Sequence, residues 1–217
     1  AYSKERLADM IHSTPALREI VTDKRVPGAD GLPESTLSLK MFPGGFLAGG
    51  GANTPNTFAR WSVRLAIGDD VDRFPPVVGD EGDPADLLVN RTTTFHDRLA
   101  FFVSTPTLQG GRIDSLYSRS DKRRYFVTCP RCQLVDYITW SDAQHFHVAF
   151  DDRDSSTARI ECPSADHGGC GYRITERERA ELVASGIWQA TAETQEPGLV
   201  GFHVPAMLSP WVSLTEL

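Results

Sequence analysis

Several features are missing from this 217-residue sequence, and each absence narrows what the protein can be. No window approaches the ~18 consecutive apolar residues of a membrane-spanning helix, and no basic-then-apolar leader opens the chain. We therefore expect a cytoplasmic protein with no membrane partner. Basic residues are not in excess, because 22 Lys and Arg stand against 29 Asp and Glu, a net charge of −7. That balance gives no sign of a nucleic-acid binder.

The phosphate-binding loop Gly-x-x-x-x-Gly-Lys-Ser/Thr is also absent from these residues. The nearest stretch, residues 49–54, is rich in glycine but has no lysine at the required place. Hydrophobic residues make up 40% of the chain and charged residues 24%, which is typical of a globular protein. The length fits one large domain, or one domain with a small appendage.

The chain is organised around an apolar segment that runs directly into carboxylates. Alternating apolar residues at 63–67 are followed by Asp69, Asp70 and Asp72. This pattern fits a buried strand whose acids lie where the strand leaves the core, the edge at which open α/β sheets bind ligands. Two adjacent acids there suit a nucleoside-triphosphatase, in which one holds Mg²⁺ and the other orients water. An acidic turn that caps the next element is the alternative.

Local patterns predict the elements around this segment. Helices are expected in two pieces over 3–21, then over 55–60, from 84 to about 96, and over 176–186; strands are expected at 36–41, 46–48, 61–67, 99–103, 125–128, 135–140 and 158–161. A loop is expected over 22–35. The nearly uninterrupted apolar run at 99–103 favours a buried parallel strand, so residues 61–103 have the rhythm of a βαβ unit. The fold class is therefore α/β.

The cysteines form one close pair, Cys129 and Cys132, and one looser pair, Cys162 and Cys170. A two-residue gap lets one tight turn aim both sulfurs at one metal, and glycines flank Cys170. Without an export signal, metal ligation is favoured over disulfides. Four thiolates on two β-turns indicate a structural Zn²⁺ in a zinc ribbon, with four incidental cysteines as the alternative. His167 is a possible further ligand, but we favour four sulfurs and a solvated histidine.

Other candidate residues each have an ordinary structural explanation. Arg91 could reach a γ-phosphate as a sensor or act in trans on a neighbouring subunit, although a surface ion pair is the favoured interpretation. The basic stretch at 119–124 could touch a DNA backbone, although a solvated strand edge is favoured. His145 and His147 alternate, which puts them on one face of a strand, and without a third ligand we expect them to be exposed.

Taken in order, these pieces resemble the large terminase subunit of lambda-type tailed phages, the motor that packages viral DNA. The likeness covers nearly the whole chain, is weakest in the first 35 residues, and is specific in its joint order rather than in any one piece. The matching stretches are 69–72, 81–84 with Arg91 and 94–95, 104–107, 120–121, Tyr125, 129–132, Trp140, 186–188, 201–203 and 209–211.

The resemblance implies a P-loop ATPase of the ASCE type with a mainly parallel sheet. It makes Asp69 the Walker B carboxylate that holds Mg²⁺. It puts Asp70 in the catalytic place, where the family more usually has glutamate. Ser104, Thr105 and Thr107 would belong to the coupling motif that senses the γ-phosphate of ATP and passes its loss to DNA-gripping elements.

We accordingly expect a partial ATPase domain over 1–124, a zinc-ribbon subdomain with a helix over 125–190, and a return strand with the start of a linker over 191–217. The resemblance implies a P-loop before these residues and a nuclease domain after them, so we expect an internal fragment that does not hydrolyse ATP alone. It also implies a homo-oligomeric ring in the host cytoplasm, with a small terminase subunit, a portal ring and duplex DNA as partners. The alternative is a zinc-stabilised interaction module on a degenerate, non-hydrolysing ATPase scaffold.

Overall fold

The computed structural model describes residues 2–21 and 38–217, which form parts of two compact units, residues 1–105 and 106–217. The predicted loop over 22–35 and the start of the predicted strand 36–41 lie outside the described residues. The helices are α1 (Tyr2–Ser13), α2 (Pro15–Ile20), α3 (Pro55–Ala59), α4 (Pro84–Asn90), α5 (Arg112–Arg119) and α6 (Glu176–Ala184). Across the described ranges, no helix is both long enough and apolar enough to cross a membrane.

The strands fall into a hairpin, a parallel pair and a six-stranded sheet. They are β1 (Leu39–Phe42), β2 (Gly45–Ala48), β3 (Leu65–Asp69), β4 (Leu99–Val103), β5 (Arg124–Thr128), β6 (Val135–Thr139), β7 (Phe146–Ala149), β8 (Arg159–Glu161), β9 (Arg173–Ile174) and β10 (Ile187–Gln189). Short 3₁₀ turns cover Val71–Arg73, Ser155–Thr157, Ala165–His167, Ala206–Leu208 and Leu214–Glu216.

In the first unit, β3 and β4 pair in parallel and α4 lies between them in the chain, as the βαβ pattern predicts. Asp83 caps α4, because its Oδ1 accepts a hydrogen bond of 2.7 Å from the Ala85 amide. The helix ends at Asn90 rather than at about residue 96. The hydroxyls of Thr92 and Thr93 donate to carbonyls three residues earlier, at 2.7 and 2.8 Å, and such local bonds compete with helix continuation.

The prediction that β3 and β4 are buried strands is wrong for one face of the pair. Ala66 and Gly68 on one face of β3 are buried, but the opposite face of the pair carries large apolar side chains that are 45–58% exposed: Leu65, Ile67, Leu99, Phe101 and Val103. A strand pair has two faces, and one short helix, α4, can cover only one of them. Among the described residues no third strand joins the pair, so the expected mainly parallel sheet is not seen there.

The second unit is built on a sheet with strand order β10-β5-β6-β7-β8-β9, in which only β6 and β7 are parallel neighbours. Its largest fully buried side chains include Phe146, Ile160 and Ile174. The predicted capping box at Thr175 and Glu178 is present and begins α6. The sheet is larger than the predicted short runs, because β9 and β10 were not predicted, and β7 was expected only as the strand that carries His145 and His147.

Arg179 of α6 joins the helix to the C-terminal segment of the second unit. Its side chain is 5% exposed, and its guanidinium donates to the carbonyls of Met207, Ser209 and Val212 at 2.8–3.0 Å. The same group is paired with Glu176. A planar fork with five donors can serve this many acceptors at once, whereas a lysine ammonium cannot.

We predict that Arg179→Lys lowers the free energy of unfolding of the second unit by about 2 kcal/mol, because carbonyls that the guanidinium serves, including the buried one of Met207, lose their donor. Chemical denaturation followed by tryptophan fluorescence measures this change. Arg177→Lys on the same helix is the matched control, since that side chain is 92% exposed and should alter stability by less than about 0.5 kcal/mol. Equal effects of the two substitutions would contradict the assigned role of Arg179.

Candidate functional site

The register of the parallel pair brings the acid segment and the Ser-Thr-Pro segment to one edge of the sheet. Asp69, the last residue of β3, lies opposite Val103, the last residue of β4. Asp70 and Ser104 therefore leave the two strands side by side. The sequence predicted this arrangement only through the βαβ pattern, because the two segments are far apart in the chain.

The turn after β3 has an unusual backbone. Asp70 is left-handed, with φ 54° and ψ 45°, and it begins the 3₁₀ turn Val71–Arg73. Val71 is fully buried and anchors this turn. A Cβ at Gly68 would come within 2.6 Å of the Phe102 ring and 2.8 Å of a Val71 methyl. Glycine therefore interrupts the apolar run because the ring and the valine pack directly on the backbone there.

The two carboxylates at this edge are accessible. The Asp70 carboxylate lies 3.9 Å from Arg73 Nε, and both side chains are more than half exposed. Among residues 2–21 and 38–217, the Asp69 carboxylate has no hydrogen bond or ion pair. Accessible carboxylate oxygens are the ligands that Mg²⁺ prefers, so the donor set fits that ion.

Ser104 links the two strand ends directly. Its Oγ accepts a hydrogen bond of 3.2 Å from the Asp72 amide and donates one of 3.2 Å to the Thr105 carbonyl. Thr105 is exposed, and Thr107 is an exposed residue of the second unit. The Asp72 amide was missed by sequence reasoning, since no local pattern signals a backbone group bonded across 32 residues.

Arg91 lies at the other end of β3. Its carbonyl accepts a 2.9 Å hydrogen bond from the Val63 amide, just before the strand begins. At about 3.3 Å per residue, the strand separates this point from Asp69 by about 20 Å, beyond the reach of an arginine side chain. A sensor role at the edge formed by Asp69 does not fit this placement. The favoured ion pair is also not seen within the described ranges, where the buried Nε of Arg91 has no partner.

The four cysteines converge as the spacing predicts. Their sulfurs all lie within 4.8 Å of one another, with Cys129–Cys170 at 3.9 Å and Cys132–Cys162 at 3.8 Å. Four sulfurs placed about 2.3 Å from a central Zn²⁺ in a tetrahedron would be about 3.8 Å apart, so the residues fit a metal. His167 is exposed and stands outside the cluster.

Two tight turns aim the sulfurs. In the first, the Cys129 amide donates to the Leu134 carbonyl at 2.8 Å, and Gln133 is left-handed with φ 63°. In the second, a Cβ at Gly169 would lie 2.1 Å from the Pro163 carbonyl oxygen, so only glycine fits. The glycine next to Cys170 is therefore required by the turn, as the sequence suggested.

The environment of the sulfurs differs from one cysteine to the next. The Leu134 amide, which donates to the Cys132 sulfur, lowers the pKa of that thiol to about 7. Burial instead raises the pKa of Cys162 and of Cys170. A bound divalent cation would hold all four sulfurs as thiolates despite these opposite pKa shifts, because coordination deprotonates thiols outright.

On the second unit, the structure corrects the predictions for the two histidines and for the basic stretch. His145 is half-buried rather than exposed: its Nδ1 lies 2.8 Å from Asp136 Oδ2, and its Nε2 lies 2.8 Å from the Tyr137 hydroxyl. His147 is also half-buried. The basic stretch does not form a sheet edge, since β5 lies between β10 and β6, and Arg123 is paired with Asp121 at 2.7 Å.

An acidic strand end lies beside a Ser-Thr-Pro segment in a mixed α/β chain that also carries a candidate metal-binding cysteine cluster, a combination that points to the ATPase class. The chain belongs to the family described as phage terminase large subunit gpA, ATPase domain, whose family model matches residues 1–188. The family assigns ATPase activity and a place in a phage DNA-packaging motor. Searches of curated proteins and of solved structures find no match.

We predict that the purified chain binds one Zn²⁺ and that chelation unfolds the cysteine turns, because metal binding and folding are coupled in such sites. Zinc released on thiol modification, measured with a colorimetric chelator, gives the stoichiometry. Cys162→Ser should abolish tight binding, whereas His167→Ala should retain one Zn²⁺ per chain. Retention by Cys162→Ser together with loss by His167→Ala would contradict the four-sulfur site.

Proposed function

We propose that this chain supplies the acidic half of the ATP site in a viral DNA-packaging motor, the terminase large subunit. The observation that carries the proposal is the strand register that puts Asp69, Asp70 and Ser104 at one sheet edge, in a chain of the terminase ATPase family. Asp69 holds Mg²⁺, and Asp70 orients the attacking water. Ser104, Thr105 and Thr107 couple hydrolysis to movement.

The roles follow from the chemistry of each group. Mg²⁺, when bound with ATP, supplies neutralisation of the phosphate charge. The Asp69 carboxylate, which has no partner among the described residues, is the better ligand of the two acids, because Asp70 lies beside Arg73. Asp70 is one methylene shorter than the glutamate usual in the family. Because the side chain is shorter, the direction of the carboxylate depends more on the left-handed backbone of Asp70.

The placement of Arg91 limits its role. At about 20 Å from Asp69, it acts on a neighbouring subunit if it takes part in catalysis at all. An in-trans role requires the homo-oligomeric ring implied by the resemblance.

The remaining parts of the proposal concern architecture and partners. Residues 1–124 form the proposed partial ATPase domain, although the two compact units divide between residues 105 and 106. Residues 125–190 form the proposed zinc-ribbon subdomain with a structural Zn²⁺, and residues 191–217 hold a return strand and the start of a linker. The S–S distances of 3.8 and 3.9 Å support the zinc ribbon. The motor works in the host cytoplasm with a small terminase subunit, a portal ring and duplex DNA.

We predict that Mn²⁺, a paramagnetic substitute for Mg²⁺, broadens the amide NMR signals of residues 69–72 before those of other acidic segments. Asp69→Asn should raise the Mn²⁺ concentration needed by at least about tenfold, because it removes the unpaired carboxylate. Asp97→Asn is the matched control, since Asp97 pairs with Arg64 at the opposite end of the strands. Equal broadening in all three proteins would contradict a metal role for Asp69.

We also predict that residues 1–217 alone show no ATP turnover above background, because they contain no phosphate-binding loop with its lysine. Phosphate release measured with the wild-type chain and with Asp70→Asn should give identical rates. Turnover that Asp70→Asn abolishes would show that the chain forms a complete site and would contradict the prediction.

A further inference from the structure

The turn that carries the acid pair has a helical end without a cap of its own. The amides at the start of a helical turn have no partner within it, and a side chain of the preceding residue usually accepts one of them. Asp70 occupies that preceding position, but its side chain makes no capping hydrogen bond. Ser104, from the end of the neighbouring strand, accepts from the Asp72 amide instead.

Because Ser104 supplies the cap, the Asp70 carboxylate is not bonded to the amides of its own turn. An Asp70 side chain folded back onto the amide of residue 72 would satisfy the turn but would remove that carboxylate from the sheet edge. The left-handed backbone of Asp70 is also costly for a residue with a Cβ, so it persists only where neighbours fix it. The buried Val71 side chain anchors the turn in the core, and the Ser104 hydroxyl binds its Asp72 amide.

We propose that Ser104 is a positioning residue: its hydroxyl caps the Asp70–Arg73 turn in place of Asp70 and so keeps the Asp69 and Asp70 carboxylates available at the sheet edge. This role rests on the proposed metal function of that edge. It is separate from any contact between Ser104 and a phosphate, since it uses an oxygen lone pair and a backbone amide of this chain.

The first measurement is amide hydrogen exchange at Asp72 in the wild-type chain and three variants. Loss of the hydroxyl in Ser104→Ala should speed exchange of that amide about fivefold, the effect of one hydrogen bond. Ser104→Thr keeps the hydroxyl and should restore the wild-type rate. Ser118→Ala is the control, because its exposed hydroxyl bonds only within α5. Unchanged amide shifts in β3 and β4 verify that each variant is folded.

The second measurement is Mn²⁺ broadening of residues 69–72 in the same proteins. Ser104→Ala should need severalfold more Mn²⁺ than wild type, because the turn that carries the two carboxylates loses the hydrogen bond that holds it, and Ser104→Thr should not. If the Asp72 amide exchanges at the same rate in Ser104→Ala as in wild type, the capping role is overturned. Wild-type broadening that Ser104→Ala leaves unchanged would overturn the positioning role alone, whereas no broadening in wild type would overturn the metal function and the positioning role together.

Discussion

The parallel register of β3 and β4 is the constraint on which the candidate site depends. Pairing Asp69 with Val103 fixes which residues leave the sheet together, and a shift of one residue would turn every side chain to the other face. The acids, the Ser104 hydroxyl and the close packing at Gly68 all follow from that register. A short βαβ unit is therefore enough to assemble groups that lie more than thirty residues apart in the chain.

The second unit holds its shape by different means. Its sheet is mostly antiparallel, with a core around Phe146 and Ile160, and two tight turns bring four sulfurs together at its side. The buried guanidinium of Arg179 then attaches the last segment through backbone carbonyls. Because those bonds are to main-chain atoms, this attachment does not depend on which side chains the segment carries.

The sequence predicted features that depend on local order and missed those that depend on distant neighbours. The strand-end acids, the Asp83 cap and the cysteine turns were predictable because spacing alone determines them. The exposure of one face of β3 was not, since alternation shows that a face is apolar but not whether anything covers it. The position of Arg91 could have been predicted, because the helix of a βαβ unit runs back from the acidic edge and ends at the opposite one.

The contact between Gly68 and Phe102 has an evolutionary consequence. A methyl group at residue 68 would overlap both the ring across the strand pair and the buried Val71, so the position cannot drift alone. A larger residue at 68 needs room at both 71 and 102, so substitutions at these three positions are expected to be coupled. The packing of Gly68, Val71 and Phe102 beneath the acid pair should therefore vary together rather than one residue at a time.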